Sequence, residues 1–299
     1  MSPETEGEMK QLLQKYTTAL KAFSNSNSKF QILHSVGRPP SSSPCHDEKE
    51  KLYILDSSFN PPTLAHQHMA QSALSSHANS SASAEKSQAR LLLLLATQNA
   101  DKAPKPASFP QRLTMMTLFA HTLLQTPPSV ANTEPQSPEL GIDIAVTSEP
   151  YFHLKSAAIS SCSSYSPSCS QVHLTGYDTL IRLLDPKYYP PTHSLSVLED
   201  FLGAHRVWVT YRAGDSWGER KEQDDFLERM ARGDMDGIGA RREWVSEGRI
   251  KLVEGREGEV VSSSRVRDTV KRGNEEELGR LVPRSIKEWI LSERLYREE

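Results

Sequence analysis

Five consecutive leucines, Leu91–Leu95, closed by Ala96, set the tightest constraint on how this chain folds. The run is far too short to cross a bilayer, which takes about 20 apolar residues in a helix. Read as a strand, its side chains alternate between two faces, and both faces are apolar. Such a strand must be covered on both sides, which places it inside a mainly parallel sheet flanked by helices. The rest of the sequence repeats the theme. Short apolar runs at Lys51–Asp56, Ile142–Val146, Val172–Thr175, Val207–Tyr211 and Ile250–Val253 read as strands. Between and after them, helices are predicted at about 63–74, 110–124, 151–159, 178–184, 194–202, 219–232, 264–272, 275–280 and 284–295. The expected fold is α/β, a doubly wound Rossmann-like parallel sheet with C-terminal helices. In such a sheet the ligand lies at the carboxyl ends of the strands, where the strand order reverses.

Segments outside this alternation define the expected organisation. Met9, Leu12, Leu13, Tyr16, Leu20 and Phe23 form one face of a helix over 8–23, free to pack on the core or on another copy of the chain. Residues 35–48 are turn formers, so 1–50 reads as an N-terminal helix and linker and 51–297 as the folded domain. Hydrophobic residues make up 36%, and glycine adds about 5% more. That is below the ~45–50% of ordinary globular domains, so some of the chain is expected not to pack. Ser-rich, low-complexity inserts at about 75–88 and 160–170 are the candidates. A further charged, helical insert at about 214–248 carries a helix expected to be mostly solvated.

Composition also narrows the function. A net charge of −3 gives no field that would hold nucleic acid or an anionic membrane by charge alone. Three cysteines, Cys45, Cys162 and Cys169, form no CxxC pair and no disulfide framework, which suggests a reducing compartment. No His/Cys cluster has zinc-ligand spacing, so no protein-bound metal is expected. The acidic start has no apolar core of a secretory signal, and its early acids oppose a transit peptide. A soluble protein of the cytoplasm, the nucleus or both is expected.

Two loops after predicted strands carry candidate chemistry. The first runs Ser57-Ser58-Phe59-Asn60-Pro61-Pro62-Thr63-Leu64-Ala65-His66. It holds neither a dinucleotide-binding glycine fingerprint nor a phosphate-binding P-loop. Thr63 and His66 share one face of a helix start, where free N–H groups and the helix dipole favour an anion. The alternative is a threonine N-cap with an incidental surface histidine. The second loop is Val261-Ser262-Ser263-Ser264-Arg265-Val266-Arg267. Hydroxyls at a helix start, with Arg267 one turn beyond Ser264, suit a polyphosphate, or else form a serine cap followed by solvated arginines. Lys102 and Lys105, in the loop after Leu91–Ala96, can reach a phosphate or simply face solvent.

Together the loops resemble the nicotinamide mononucleotide adenylyltransferase family, in the nucleotidyltransferase superfamily of the (H/T)xxH signature. Ser57–His66 is similar to the family's first motif, and Val261–Arg267 to its second. Leu174-Thr175-Gly176-Tyr177-Asp178 resembles the family's L-x-G-x-D stretch, and Val209–Gly214 its V-x-x-R-x-G stretch. Leu281-Val282-Pro283 and Leu295-Tyr296 resemble its closing segment, so the resemblance spans about 51–297. Ser57 stands where the family has glycine, and the family's stacking tryptophan after residue 146 is missing. These departures resemble a divergent fungal branch.

The resemblance implies transfer of the adenylyl group of ATP to nicotinamide or nicotinate mononucleotide, with Mg²⁺ accompanying ATP and no covalent enzyme intermediate. It implies that His66 contacts the α/β-phosphates and Arg267 the β/γ end, with Thr63 capping beside them. Ser57, Ser58, Phe59, Ser263 and Ser264 would line the ATP site. Asp178 would take a ribose hydroxyl, with Gly176 permitting close approach, unless Asp178 serves as a helix N-cap. For the mononucleotide it implies Lys102, Lys105, Arg112 and Arg212, with Phe152, Tyr188 or Tyr189 replacing the missing tryptophan. Two alternatives stay open: a different phosphorylated acceptor, such as phosphocholine, phosphoethanolamine or pantetheine phosphate, and an inactive nucleotide-binding regulator.

Overall fold

The structure, a computed structural model, describes residues 3–39, 51–80, 89–98, 107–126, 140–166, 168–212, 218–255 and 261–297. In chain order the first half contains α1 (Pro3–Ser24), β1 (Phe30–Gly37), β2 (Lys51–Asp56), α2 (Leu64–Ser80), β3 (Ala89–Ala96), α3 (Phe109–Gln125), β4 (Gly141–Thr147) and α4 (Phe152–Ser160). The second half contains β5 (Ser170–Gly176), α5 (Tyr177–Leu183), α6 (Glu199–Ala204), β6 (Arg206–Thr210), α7 (Arg220–Arg232), α8 (Glu243–Ser246) and β7 (Ile250–Val253). Three helices close the chain, α9 (Ser263–Lys271), α10 (Glu275–Leu281) and α11 (Arg284–Ser292).

The seven strands form one sheet in the order β1-β4-β3-β2-β5-β6-β7. Strands β2 to β7 are parallel, and the order reverses between β2 and β5, which are hydrogen-bonded neighbours. This is the doubly wound arrangement, with its switch point beyond the carboxyl ends of β2 and β5. The leucine run behaves as its alternation requires. Leu91, Leu93 and Leu95 join the core shared with α1, α2, α3 and the C-terminal helices. Leu92 and Leu94 face the opposite layer with Leu52, Ile54 and Ile159.

The N-terminal segment is more than a helix and linker. Phe30–Gly37 pairs antiparallel with β4 and adds a seventh strand at the sheet edge, overlapping the region from residue 35 expected to be a loop. Phe30 and Val36 at its two ends are buried. Met9, Tyr16 and Phe23, at seven-residue steps, bury one stripe of α1 in the main core, and the Tyr16 hydroxyl meets Thr117 Oγ1 of α3 at 2.6 Å. The helix therefore covers its own sheet.

Two expectations about inserts are corrected. The Ser-rich stretch at 160–170 is anchored to the core, because Tyr165 is 4% exposed, lies against Phe30 and donates its hydroxyl to Asp143 at 2.8 Å. One aromatic side chain supplies the burial that the serines lack. In the other, α2 runs on to Ser80, and residues 81–88 lie outside the described residues. Helix α7 is mostly exposed, as its charge pattern suggests, with one buried stripe. Gln223, Leu227 and Met230, spaced by four and three, bury one face, while Leu227 and Met230 join a second core with Trp244 under β6 and β7. Among the described residues no helix is long and apolar enough to cross a membrane.

Candidate active site

The first loop leaves β2 at Asp56 and enters α2 through Thr63. Ser57 remains tied to the sheet, its N–H donating to Leu94 O at 3.2 Å. Its φ is not positive, so a serine here carries none of the backbone cost expected from replacing the family's glycine. Phe59 does adopt φ 44°, held by a fully buried ring that packs against His66 and Phe119. Asn60 is buried and anchors the loop. Its Oδ1 accepts from the Ala107 N–H at 2.7 Å and the Tyr296 hydroxyl at 2.9 Å. The entry to α3 and the closing segment of the chain therefore both fasten onto this turn.

His66 is held at both ring nitrogens. The backbone N–H of fully buried Thr63 donates to Nδ1 at 3.0 Å, and the Thr63 hydroxyl lies 2.8 Å from the same atom. An Nδ1 that accepts a backbone N–H carries no proton, so in the neutral ring the proton is on Nε2. Nε2 lies 2.9 Å from Ser57 Oγ and donates to it. Burial pushes the His66 pKa down to about 4, so near neutral pH the ring is an uncharged Nε2–H donor. The Thr63 carbonyl begins the helical ladder at Gln67 N–H, as an N-cap does, and its hydroxyl fixes the imidazole.

The second loop docks onto the first. Ser262 caps α9 by accepting from Arg265 N–H at 3.2 Å, so the helix begins one residue earlier than expected. Ser263 donates its hydroxyl to Pro61 O at 2.8 Å. Arg267 donates from Nη1 to Asn60 O at 2.7 Å and from Nη2 to Ser264 Oγ at 3.1 Å, which confirms that Arg267 and Ser264 share a face. Arg112 lies close by, 8% exposed, with Nε donating to Ala107 O at 2.7 Å. Burial first, and then the charge of Arg267, lower its pKa, while Tyr296 opposes the shift. Two helix starts and two guanidiniums thus converge beside the carboxyl end of β2, an arrangement suited to a polyanion.

Across the switch point, Asp178 stands in the first turn of α5, with Arg212 Nη1 2.7 Å from its Oδ1. Gly176, not Asp178, occupies the N-cap position, so the capping alternative fails. A Cβ on Gly176 would lie 2.9 Å from Asp178 Oδ1. The glycine therefore makes room for the aspartate side chain itself.

No protein-family model matches the chain. A curated protein of Schizosaccharomyces pombe named "Putative nicotinamide mononucleotide adenylyltransferase" is 29% identical over 272 residues, covering 91% of this chain and 93% of the relative. That similarity, over nearly the whole of both chains, is consistent with a divergent member of the nicotinamide mononucleotide adenylyltransferase family. Among solved structures, the nicotinic acid mononucleotide adenylyltransferase of Plasmodium falciparum complexed with NaAD matches at 13% identity and a TM-score of 0.48. The same enzyme complexed with APC matches at 12% and 0.46. Both matches cover 83% of this chain and 97% of the other.

Beside Arg112 and Arg212, the residues expected at the mononucleotide fall into three groups. Lys102 and Lys105 lie outside the described residues. Tyr189 forms one cluster with Tyr151 and His153, ring centroids 5.8 to 6.1 Å apart, and its buried hydroxyl donates to Leu183 O at 2.7 Å. Phe152 instead lies against His173 and Phe201, and Tyr188 lies under Lys187 Nζ. Ser58 is exposed on the first loop.

Sequence reasoning missed a buried ion pair at the same edge: Lys155 Nζ of α4 lies 2.5 Å from Asp56 Oδ2, both side chains under 10% exposed. A lone lysine in the otherwise uncharged α4 segment Phe-His-Leu-Lys-Ser-Ala-Ala-Ile-Ser was the available signal. It also missed Asn60 and Tyr296 as anchors, which no local pattern reveals, since they are 236 residues apart.

Proposed function

We propose that the chain is an adenylyltransferase that joins ATP to nicotinamide or nicotinate mononucleotide, releasing pyrophosphate and forming the dinucleotide. One observation carries the reading: Ser263 and Arg267 bind the backbone of Pro61 and Asn60, bringing the starts of α2 and α9 together around His66 at the switch point. The name of the Schizosaccharomyces pombe relative supports the same reaction.

In this reading the 5′-phosphate of the mononucleotide attacks the α-phosphorus of ATP, and the bond to the β-phosphate oxygen breaks. The attacking phosphate is already ionised, so no strong base is required and catalysis rests on positioning and charge stabilisation. His66 donates Nε2–H to the α/β-phosphate oxygens. Arg267 and the α9 start hold the β/γ end, and Asp178 accepts from a ribose hydroxyl. Mg²⁺ enters with ATP as part of the substrate.

The test is pyrophosphate release by purified protein given MgATP and each mononucleotide. Turnover only with phosphocholine, phosphoethanolamine or pantetheine phosphate would overturn the acceptor assignment, and none with any acceptor would overturn the enzyme. Arg267→Ala should raise the ATP KM at least tenfold, and Arg267→Lys should recover only part of it. Lysine keeps the charge but cannot bind Asn60 O and Ser264 Oγ with one planar fork. Wild-type ATP kinetics in both variants would remove Arg267 from the site.

A further inference from the structure

The fully buried amide of Gln223, on α7, holds the backbone that carries Arg212. Gln223 Nε2 donates to Arg212 O at 2.7 Å, and its Oε1 accepts from Arg212 N–H at 3.1 Å. The second Nε2 hydrogen goes to Gly218 O at 3.2 Å. Arg212 lies two residues beyond the end of β6, where strand pairing is ending: Tyr211 N–H still bonds Val253 O. The amide reproduces the donor and acceptor of a neighbouring strand, so Arg212 leaves the sheet with a defined backbone direction. Its guanidinium then reaches Asp178 Oδ1 at 2.7 Å.

We infer that Gln223 is a positioning residue for the nucleotide site, acting through Arg212 on the carboxylate of Asp178. The inference rests on the proposed function, in which Asp178 accepts from the ribose of ATP. Arg212 binds one oxygen of the carboxylate and thereby limits the directions in which the other can point. An Asp178 rotamer that wanders weakens ribose binding without disturbing the phosphates at His66 and Arg267. The sequence around Gln223 explains why a plain surface helix would not serve. Arg220, Lys221, Glu222, Asp224 and Asp225 surround it, and Gln223 is the one polar side chain on the buried stripe with Leu227 and Met230. A charged side chain there would be buried among two carbonyls and an N–H, which only a neutral amide can satisfy together.

Gln223→Met keeps the volume and removes all three hydrogen bonds. It should raise the ATP KM and the ATP Kd about tenfold, leaving kcat within about twofold of wild type. Gln223→Ala, which leaves room for water to bridge the Arg212 groups, is the milder second variant if the methionine protein does not fold. The deciding measurement is a double-mutant cycle: in an Arg212→Ala background either variant should change ATP Kd by less than twofold, because the route is already broken. Additive losses, or a lower Tm with unchanged ATP Kd, would overturn the inference. The binding arm stands apart from the reaction. Wild-type protein that binds ATP but releases no pyrophosphate would overturn the proposed function while the cycle still decides Gln223. Wild-type protein that binds no ATP would overturn both.

Discussion

His66→Ala should lower kcat by about 10²–10³-fold, the range seen when a single preorganised donor to developing negative charge is removed. The imidazole is already oriented before substrate arrives, because Thr63 N–H fixes the tautomer and Ser57 Oγ marks the direction of the Nε2 proton. Stability should change less, by about 1–3 kcal/mol, since the variant leaves the buried Thr63 N–H without its acceptor. Steady-state kinetics beside a thermal melt separate the two effects, and a fully active variant would remove His66 from the mechanism. The depressed pKa adds a pH signature. With the folded-state value near 4 and the ordinary value near 6.5, kcat should show no inflection near pH 6.5. Stability follows from the same shift. Below pH 6.5 the unfolded chain takes up a proton that the folded site refuses, so stability falls as pH drops towards 4 and is intact above 6.5. Buried His173, pushed down to about 3, extends that loss further into acid.

Breaking the pair formed by Arg90 and Asp143 should be the most destabilising single change in the sheet. Asp143 of β4 is fully buried and accepts from Arg90 Nε at 2.5 Å, Arg90 Nη2 at 2.8 Å, Ser35 Oγ at 2.6 Å and the Tyr165 hydroxyl at 2.8 Å. The three donor residues lie on three different segments, so one carboxylate joins β1, β3 and the Ser-rich stretch before β5. Asp143→Ala leaves a guanidinium that is 1% exposed with its hydrogen bond to Arg38 O but without a compensating charge, and losses of this kind run about 3–5 kcal/mol. Adding Arg90→Met should recover part of that loss, since an apolar side chain needs no partner. Urea unfolding of the single and double variants measures both. If the double variant is no more stable than Asp143→Ala, a stranded charge is not the source of the loss. Catalysis at pH 7 should survive in any variant that stays folded, because this network lies away from His66.

Much of the architecture and the two candidate loops were legible without coordinates, because each rests on a local rule. A leucine run buried on both faces implies a covered parallel strand, and β2 and β7 occupy the predicted residues. Thr63 and His66, or Ser264 and Arg267, share a helix face by spacing alone, and hydrogen bonds join both pairs. What failed or stayed hidden depends on partners distant in sequence. The edge strand β1 is defined by pairing with β4, more than 100 residues later. The 160–170 stretch has the composition of an unpacked insert, and only Asp143 and Phe30 make Tyr165 worth burying. Gln223 reads as one more polar residue on a charged helix until Arg212 is placed beneath it. Sequence by itself determined the parallel strands and most of the helices, and so which loops can meet a ligand. Tertiary structure alone decided which buried polar groups find each other, because a hydrogen bond or ion pair is stable in the interior only when another segment delivers its partner to within about 3 Å.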